Sequence, residues 1–167
     1  MKPCVGSEID KSVKKLKALK PKVVPKADRI KKPSIKALKK RLWVLFTLYI
    51  RTRDCLKTKG TLTRGKCITC GKEYEIGQLH AGHFIAGRSN AVLFDEKGVF
   101  GQCYACNIGL HGNILEYRRK IIEMYGPGSD ERMEAESKLT RKYTTWELEE
   151  MIQMYKEKIL NLEEGDD

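Results

Sequence analysis

Residues 66–71 read KCITCG and residues 102–107 read QCYACN. The same Cys-x-x-Cys spacing thus occurs twice, with 32 residues between Cys70 and Cys103. A two-residue insert lets two thiolates face one point at the edge length of a tetrahedron. Two such loops complete a closed structural Zn²⁺ site with no position open to a substrate. Cys67, Cys70, Cys103 and Cys106 are therefore read as zinc ligands, against the competing readings of a redox Cys-x-x-Cys or plain buried thiols. Cys4 and Cys55, the other two cysteines, lie outside any motif. A bound zinc gives a folding anchor to a region poor in core-forming residues. The insert is longer than a simple zinc ribbon requires, so something further is held between the knuckles.

That insert contains QLHAGHFIAG, residues 78–87, with His80 and His83; the third histidine, His111, follows the second knuckle. On a strand, His80 and His83 project to opposite faces, so a bend or bulge at Ala81-Gly82 is the expected device for bringing both rings to one pocket. A neutral imidazole is a natural general base for water and also a metal ligand. Asn107, pinned directly after the last zinc cysteine, offers an amide oxygen suited to a hard cation such as Mg²⁺. Three readings compete for the histidines: further zinc ligands, ordinary hairpin residues, or a hydrolytic site acting on phosphate diesters. The third unites them with the zinc scaffold and with the distribution of charge.

Net charge is +11, and residues 1–40, with 13 Lys and one Arg against Glu8, Asp10 and Asp28, carry all of it. Such an arm binds a polyanion by neutralising phosphates and releasing their counterions; the bland alternative is a solubilising tail. Pro3, Pro21, Pro25 and Pro33 interrupt it, so residues 1–33 read as a flexible basic arm with room for a short helix over 12–20. No apolar run approaches the roughly 20 residues of a membrane span, and the start lacks the apolar segment of a secretory signal. The expected setting is cytoplasmic and reducing, where cysteines bind metal rather than pair.

Residues 34–63 read as an amphipathic helix and linker. Ser34 is the N-cap, Ile35, Leu38, Leu42, Leu45, Phe46, Tyr49 and Ile50 form one face to about Asp54, and Lys36, Lys39, Lys40, Arg51 and Arg53 form a basic one. Residues 64–125 hold the cysteines and histidines in hairpins and turns, then a helix with Ile114, Tyr117, Ile121 and Tyr125 along one stripe. Residues 126–167 are helical. Ser129 is the expected cap of one segment, and Thr144 with Glu147 a capping box for the last. The apolar face of that last helix is Leu148, Met151 or Ile152, Tyr155, Ile159 and Leu162.

The stretches His80-Ala-Gly-His83-Phe84, Gln102 to Asn107, Gly112-Asn113 and Glu116-Tyr117-Arg118 resemble the NinG (Rap) family of lambdoid phages. The resemblance covers about residues 64–125 and extends more loosely to YTTWELEEMIQMYKEKILNL. It implies an α+β fold: a zinc-stabilised ββα-metal core (HNH, treble-clef-like) flanked by α-helices, similar in layout to the junction-resolving endonuclease VII. The implied activity is structure-specific, metal-dependent hydrolysis of branched double-stranded DNA such as Holliday junctions and D-loops, in the host cell's cytoplasm.

Carried over to this sequence, His83 matches the general base, and His80 and Asn107 match the holders of the catalytic ion, Mg²⁺, Mn²⁺ or another divalent transition metal. His80 stands where the lambda member has Asp, which implies a preference for Mn²⁺, Co²⁺ or Ni²⁺. His111, four residues past Asn107, is placed to replace a missing ligand. Gly98 stands where the family has a bracing Asn and Phe100 where the lambda member has a His; Asn90 is the nearby amide able to brace the loop instead. Lys36, Lys39, Lys40, Arg118 and Arg119 are the expected backbone contacts. Implied partners are branched DNA, phage recombination proteins and a second copy of the chain, since two coordinated cuts suit a symmetric dimer. The rivals are a non-catalytic zinc-stabilised DNA-binding module and an RNA-binding zinc protein of ribosomal type.

Overall fold

A computed structural model describes residues 32–87 and 89–165. The helix expected over 12–20 and Cys4 lie outside them. The first described helix, α1 (Ile35–Lys59), starts where Ser34 accepts a hydrogen bond from the Ala37 N–H at 3.2 Å. It ends at Gly60, whose left-handed backbone (φ 68°) lets its N–H reach the Leu56 carbonyl at 2.8 Å; glycine takes this conformation at no steric cost. The helix outruns the expected end at Asp54 because its inner face changes character rather than stopping. After Leu38, Leu42, Phe46 and Ile50, the buried residues are Thr52, Arg53, Asp54 and Cys55.

Arg53 therefore belongs to the interior, not to the exposed basic face. Its Nε donates to Asp54 Oδ1 at 2.8 Å, and its Nη atoms donate to the carbonyls of Glu96 (3.1 Å) and Val99 (3.0 Å). Asp54 Oδ2 accepts the Gly101 N–H at 2.7 Å. A buried ion pair is tolerated only when its remaining hydrogen-bonding capacity is met. Here the backbone of a neighbouring strand meets it.

That strand belongs to the second of two hairpins. β1 (Arg64–Lys66) pairs antiparallel with β2 (Glu73–Glu75), the first knuckle forming the turn between them. A 3-10 turn (Ile76–Gln78) leads into β3 (Leu79–His83), antiparallel to β4 (Val99–Cys103) in unbroken register from Leu79–Cys103 to His83–Val99. β1 lies so close to α1 that a Cβ on Gly65 would stand 2.8 Å from Cys55 Sγ. A π-helical turn (Ala105–Gly109) follows β4, then α2 (Ile114–Tyr125), α3 (Ser129–Ser137) and α4 (Thr145–Glu164). The fold is α+β with small sheets.

Three apolar groups hold together the described residues of the unit that starts at Pro33. The largest joins α1 to α4 through Leu38, Leu42, Phe46 and Ile50 against Leu148, Ile152 and Tyr155, with Phe94, Val99 and Tyr143. Each such side chain contributes about 1.5–3 kcal/mol when fully buried. A second joins Phe84 and Phe100 to Tyr117, Ile121 and Met133; the third surrounds the cysteines. On α4 the buried residues are Leu148, Ile152, Tyr155 and Ile159, behind the expected capping box of Thr144 and Glu147. Gly128, in left-handed conformation, rather than Ser129, occupies the N-cap of α3. Ser129 is the first helical residue, and its hydroxyl donates back to the Gly126 carbonyl at 2.7 Å. Among the described residues no helix is long and apolar enough to cross a membrane.

Candidate metal centre and adjoining histidine cavity

The sulfurs of Cys67, Cys70, Cys103 and Cys106 all lie within 4.8 Å of one another. Zinc–sulfur bonds of about 2.3 Å set tetrahedral ligands about 3.8 Å apart, and Cys70 Sγ stands 3.9 Å from Cys103 Sγ. The donor set fits a metal ion such as Zn²⁺. Its electrostatics agree. Burial opposes ionisation of Cys67, but backbone N–H groups at Cys70 and Cys103 and the Thr69 hydroxyl outweigh it and hold that thiol near 6. Burial pushes Cys70 up to about 12 and Cys106 above its ordinary range. The surroundings thus favour the thiolate at Cys67, whereas Cys70 and Cys106 would be helped to ionise by a bound cation. Cys55 is apart from it, and burial raises its thiol to about 11.

A cavity of about 720 Å³ adjoins the cluster, and His80, His83, Asn107 and His111 all line it. The expected bend at Ala81-Gly82 is absent. Successive β3 residues from Leu79 to Ala81 border the cavity, so residues from both faces of the strand reach it without a bend. Gly82 serves a different need: a Cβ there would stand 2.1 Å from Gln102 Oε1. Gln102 is fully buried and its Nε2 donates to the Gly112 carbonyl at 2.8 Å and toward Thr69 Oγ1 at 3.3 Å. Thr69 Oγ1 lies 3.3 Å from Cys67 Sγ. A run of polar contacts thus ties the thiolates to the turn of His111, Gly112 and Asn113.

That turn is strained. All three residues have left-handed backbone, with φ of 48°, 90° and 47°, a conformation rare outside glycine. The Gly112 N–H to the Cys106 and Asn107 carbonyls (2.9 and 3.0 Å) and Asn113 Nδ2 near Cys106 Sγ (3.9 Å) hold it. Asn107, His111 and Gly112 line the cavity together with the β3 residues.

The His83 ring stacks on Trp43 (centroids 5.6 Å apart, planes at 16°), and its Nε2 lies 3.1 Å from the Leu93 carbonyl. A carbonyl only accepts, so Nε2 carries the hydrogen and Nδ1 is the basic nitrogen. His80 meets the ring of Tyr104 edge-on at 6.0 Å.

Among the lining residues that sequence alone does not assign to the site, three come from α1: Trp43, Thr47 and Arg51. Their spacing of four marks one helical stripe, which was the available signal. Arg51 donates from Nε to the Thr47 carbonyl (3.1 Å) and from Nη1 to the Ile76 carbonyl (3.3 Å), so backbone, not carboxylate, fixes its charge at the wall.

Of the expected backbone contacts, Lys36 and Lys40 are exposed. Lys39 Nζ instead donates to Asn90 Oδ1 at 2.6 Å and lies over the Tyr143 ring. Arg118 pairs with Asp130 (2.5 Å) and Glu134, and Arg119 pairs with Glu116. Asn90 does brace the loop between β3 and β4: besides holding Lys39, it donates to the Arg141 carbonyl (2.9 Å) and accepts from the Tyr143 hydroxyl at its own carbonyl (2.9 Å). Phe100 is buried, with the Arg53 guanidinium 4.8 Å from its ring centre. The buried Tyr117 hydroxyl pins Gly82 through its carbonyl at 2.8 Å.

Comparison with known proteins gives a consistent answer. The family described as Bacteriophage Lambda NinG protein matches residues 6–165. Protein ninG of Salmonella phage P22 is 31% identical over 100 residues, covering 59% of this chain and 48% of that protein. Protein ninG of Escherichia phage 933W is 29% identical over 97 residues, 58% of this chain and 47% of the relative. For Escherichia phage lambda the figures are 29% over 85 residues, 50% and 39%. The chain therefore spans about half the length, or less, of these relatives. No solved structure matches. With a match that runs from the arm through α4, this chain belongs to the phage NinG family.

Proposed function

We propose that this chain is a structure-specific, metal-assisted DNA endonuclease of branched recombination intermediates, its core a ββα unit made of β3, β4 and the helical segment after them. The observation that carries the reading is the convergence of His80, His83, Asn107 and His111 on one cavity beside a four-thiolate scaffold. His83 Nδ1 would take a proton from water as it attacks phosphorus, with Trp43 and the Leu93 carbonyl holding the ring. Arg51, in the same lining, would neutralise phosphate charge. His80 and Asn107, with His111, are the residues that would hold a divalent ion. Their donor set of imidazole nitrogens and an amide oxygen suits a transition metal and leaves coordination positions for phosphate and water. When bound, such an ion stabilises charge on the phosphate and leaving oxygen. Lys36, Lys40 and the lysines of residues 1–31 would supply the non-specific hold on the backbone.

The test is nicking of a four-way junction across Mg²⁺, Mn²⁺, Co²⁺ and Ni²⁺ by wild type and His83→Ala. Loss of a general base costs roughly 10²–10⁴ in rate; cleavage untouched by the substitution removes His83 from the mechanism. Phe100, buried where the lambda member has a His, favours the second reading of a non-catalytic DNA-binding module. That reading predicts tight junction binding and no nicking in any metal.

A further inference from the structure

The turn that carries Asn107 also carries three large apolar side chains that stand largely in solvent: Tyr104, Ile108 and Leu110 are 64%, 48% and 58% exposed. Tyr104 and Ile108 are four residues apart and share one face of the turn. Ile108 is part of the wall of the histidine cavity, and Tyr104 meets His80, another wall residue, edge-on. Tyr104 lies between Cys103 and Cys106, two of the clustered thiols, and Ile108 follows two residues after the second. Exposed apolar groups so placed mark a contact surface.

We infer that Tyr104 and Ile108 form a platform on which a nucleobase, unstacked beside the scissile phosphate, is received; this rests on the nuclease reading above. The cavity can take a phosphate, with Arg51 and imidazoles in its walls. A nucleotide whose phosphate enters there must place its sugar and base at the rim. In a continuous duplex that base has both faces covered by its neighbours and offers the rim little. Base faces become available where stacking is interrupted, at a branch, a nick or a single strand, and aromatic side chains bind them without regard to sequence. The rim would thus make the site selective for strand discontinuity, with no base-reading motif required.

The experiment uses the full chain carrying His83→Ala, so that binding is read without turnover, and two DNAs: a four-way junction with 2-aminopurine beside the branch, and a linear duplex of matching sequence. Tyr104→Ala or Ile108→Ser is expected to weaken junction binding roughly five- to a hundredfold and duplex binding less than about twofold. Tyr104→Phe should bind as the parent does. Bound parent protein should quench the 2-aminopurine emission, and Tyr104→Ala should not. Equal losses on both DNAs, no loss on either, or no DNA binding by the parent would overturn the platform. So would concentration-dependent sedimentation of the free protein that Tyr104→Ala abolishes, since the rim would then cover a second copy. Failure of the nuclease reading shows up separately, as absence of nicking by the His83-containing protein while the junction-selective loss persists.

Discussion

The four-cysteine cluster and the histidine cavity meet at the turn after β4, which gives Cys106 to one and Asn107 and Ile108 to the other, yet they are built on opposite plans. The cluster is closed: one ligand type, supplied by two local motifs, with Cys67, Cys103 and Cys106 buried. The cavity is open. It mixes imidazole, amide and guanidinium groups and takes three of its wall residues from α1, outside the cysteine-bounded segment. A closed set needs only an ion to organise it. An open set must be held by something else, and here that is the cluster on one side, through Gln102 and Thr69, and α1 on the other.

Removing the metal should have the largest effect and strike both regions. Structural zinc in small sites is worth on the order of 10 kcal/mol, more than a domain's whole margin in many cases. Chelation, or Cys103→Ser, is expected to abolish one equivalent of bound metal and unfold the hairpins, while helical circular dichroism from α1 and α4 partly survives. Cys55→Ser should leave metal content unchanged. Metal analysis alongside the histidine ring signals in NMR checks this. A cavity with intact His83 signals in metal-free protein would break the dependence of one region on the other.

Cutting only the link between them should cost less. Gln102→Leu removes the donor to the Gly112 carbonyl and leaves that carbonyl buried without its partner, which costs about 1–3 kcal/mol. The loss is softened because Gln102 Oε1, buried with no hydrogen-bond partner in this structure, goes too. Urea unfolding should show the destabilisation, metal stoichiometry should stay at one, and the His111 resonances should move while those of Trp43 do not. Unchanged His111 signals would mean the strained turn stands on its own bonds to Cys106 and Asn107.

The same contrast governs what the amino-acid sequence discloses. The cluster was legible because its chemistry is written in spacing: two identical Cys-x-x-Cys steps need no knowledge of tertiary structure. The amphipathic stripes of α1 and α4 were legible for the same reason, as was the Thr144–Glu147 cap. The α1 wall of the cavity was not. Trp43 and Arg51 read as ordinary helix residues until packing places both in the cavity lining, and Arg53 reads as a surface cation until its partners on β4 are known. Gly82 suggested a bend because the glycine's neighbour across the strands, Gln102, is visible only once the register is set. Charge runs mislead likewise: Arg118 lies on a helix beside the site, but Asp130 and Glu134 of the next helix claim it.

The smallest effect is expected from Glu96, which tests whether α4 supports the cavity at a distance. Glu96 sits in the loop that also presents the Leu93 carbonyl to His83, and it accepts from the Tyr155 hydroxyl (2.9 Å), the Tyr49 hydroxyl (3.2 Å) and Lys158 Nζ (2.5 Å). Burial works to raise its carboxyl, but Lys158 and the two hydroxyls outweigh burial and hold it below the ordinary glutamate range. A depressed carboxylate contributes stability above its unfolded value, about 4.3, and loses that contribution as the pH falls through the folded value. Glu96→Gln should therefore destabilise by about 1 kcal/mol at pH 7 and by nothing measurable in acid. Acid also strips metal from thiolates, so absolute stabilities will fall for both proteins. The cluster lies apart from Glu96, and its loss enters wild type and variant alike, so the difference between their urea midpoints isolates the carboxylate. A difference that holds constant from pH 7 down to about 3 would show that the three donors act on Glu96 as neutral hydrogen bonds, and that charge plays no part in tethering α4 to the loop.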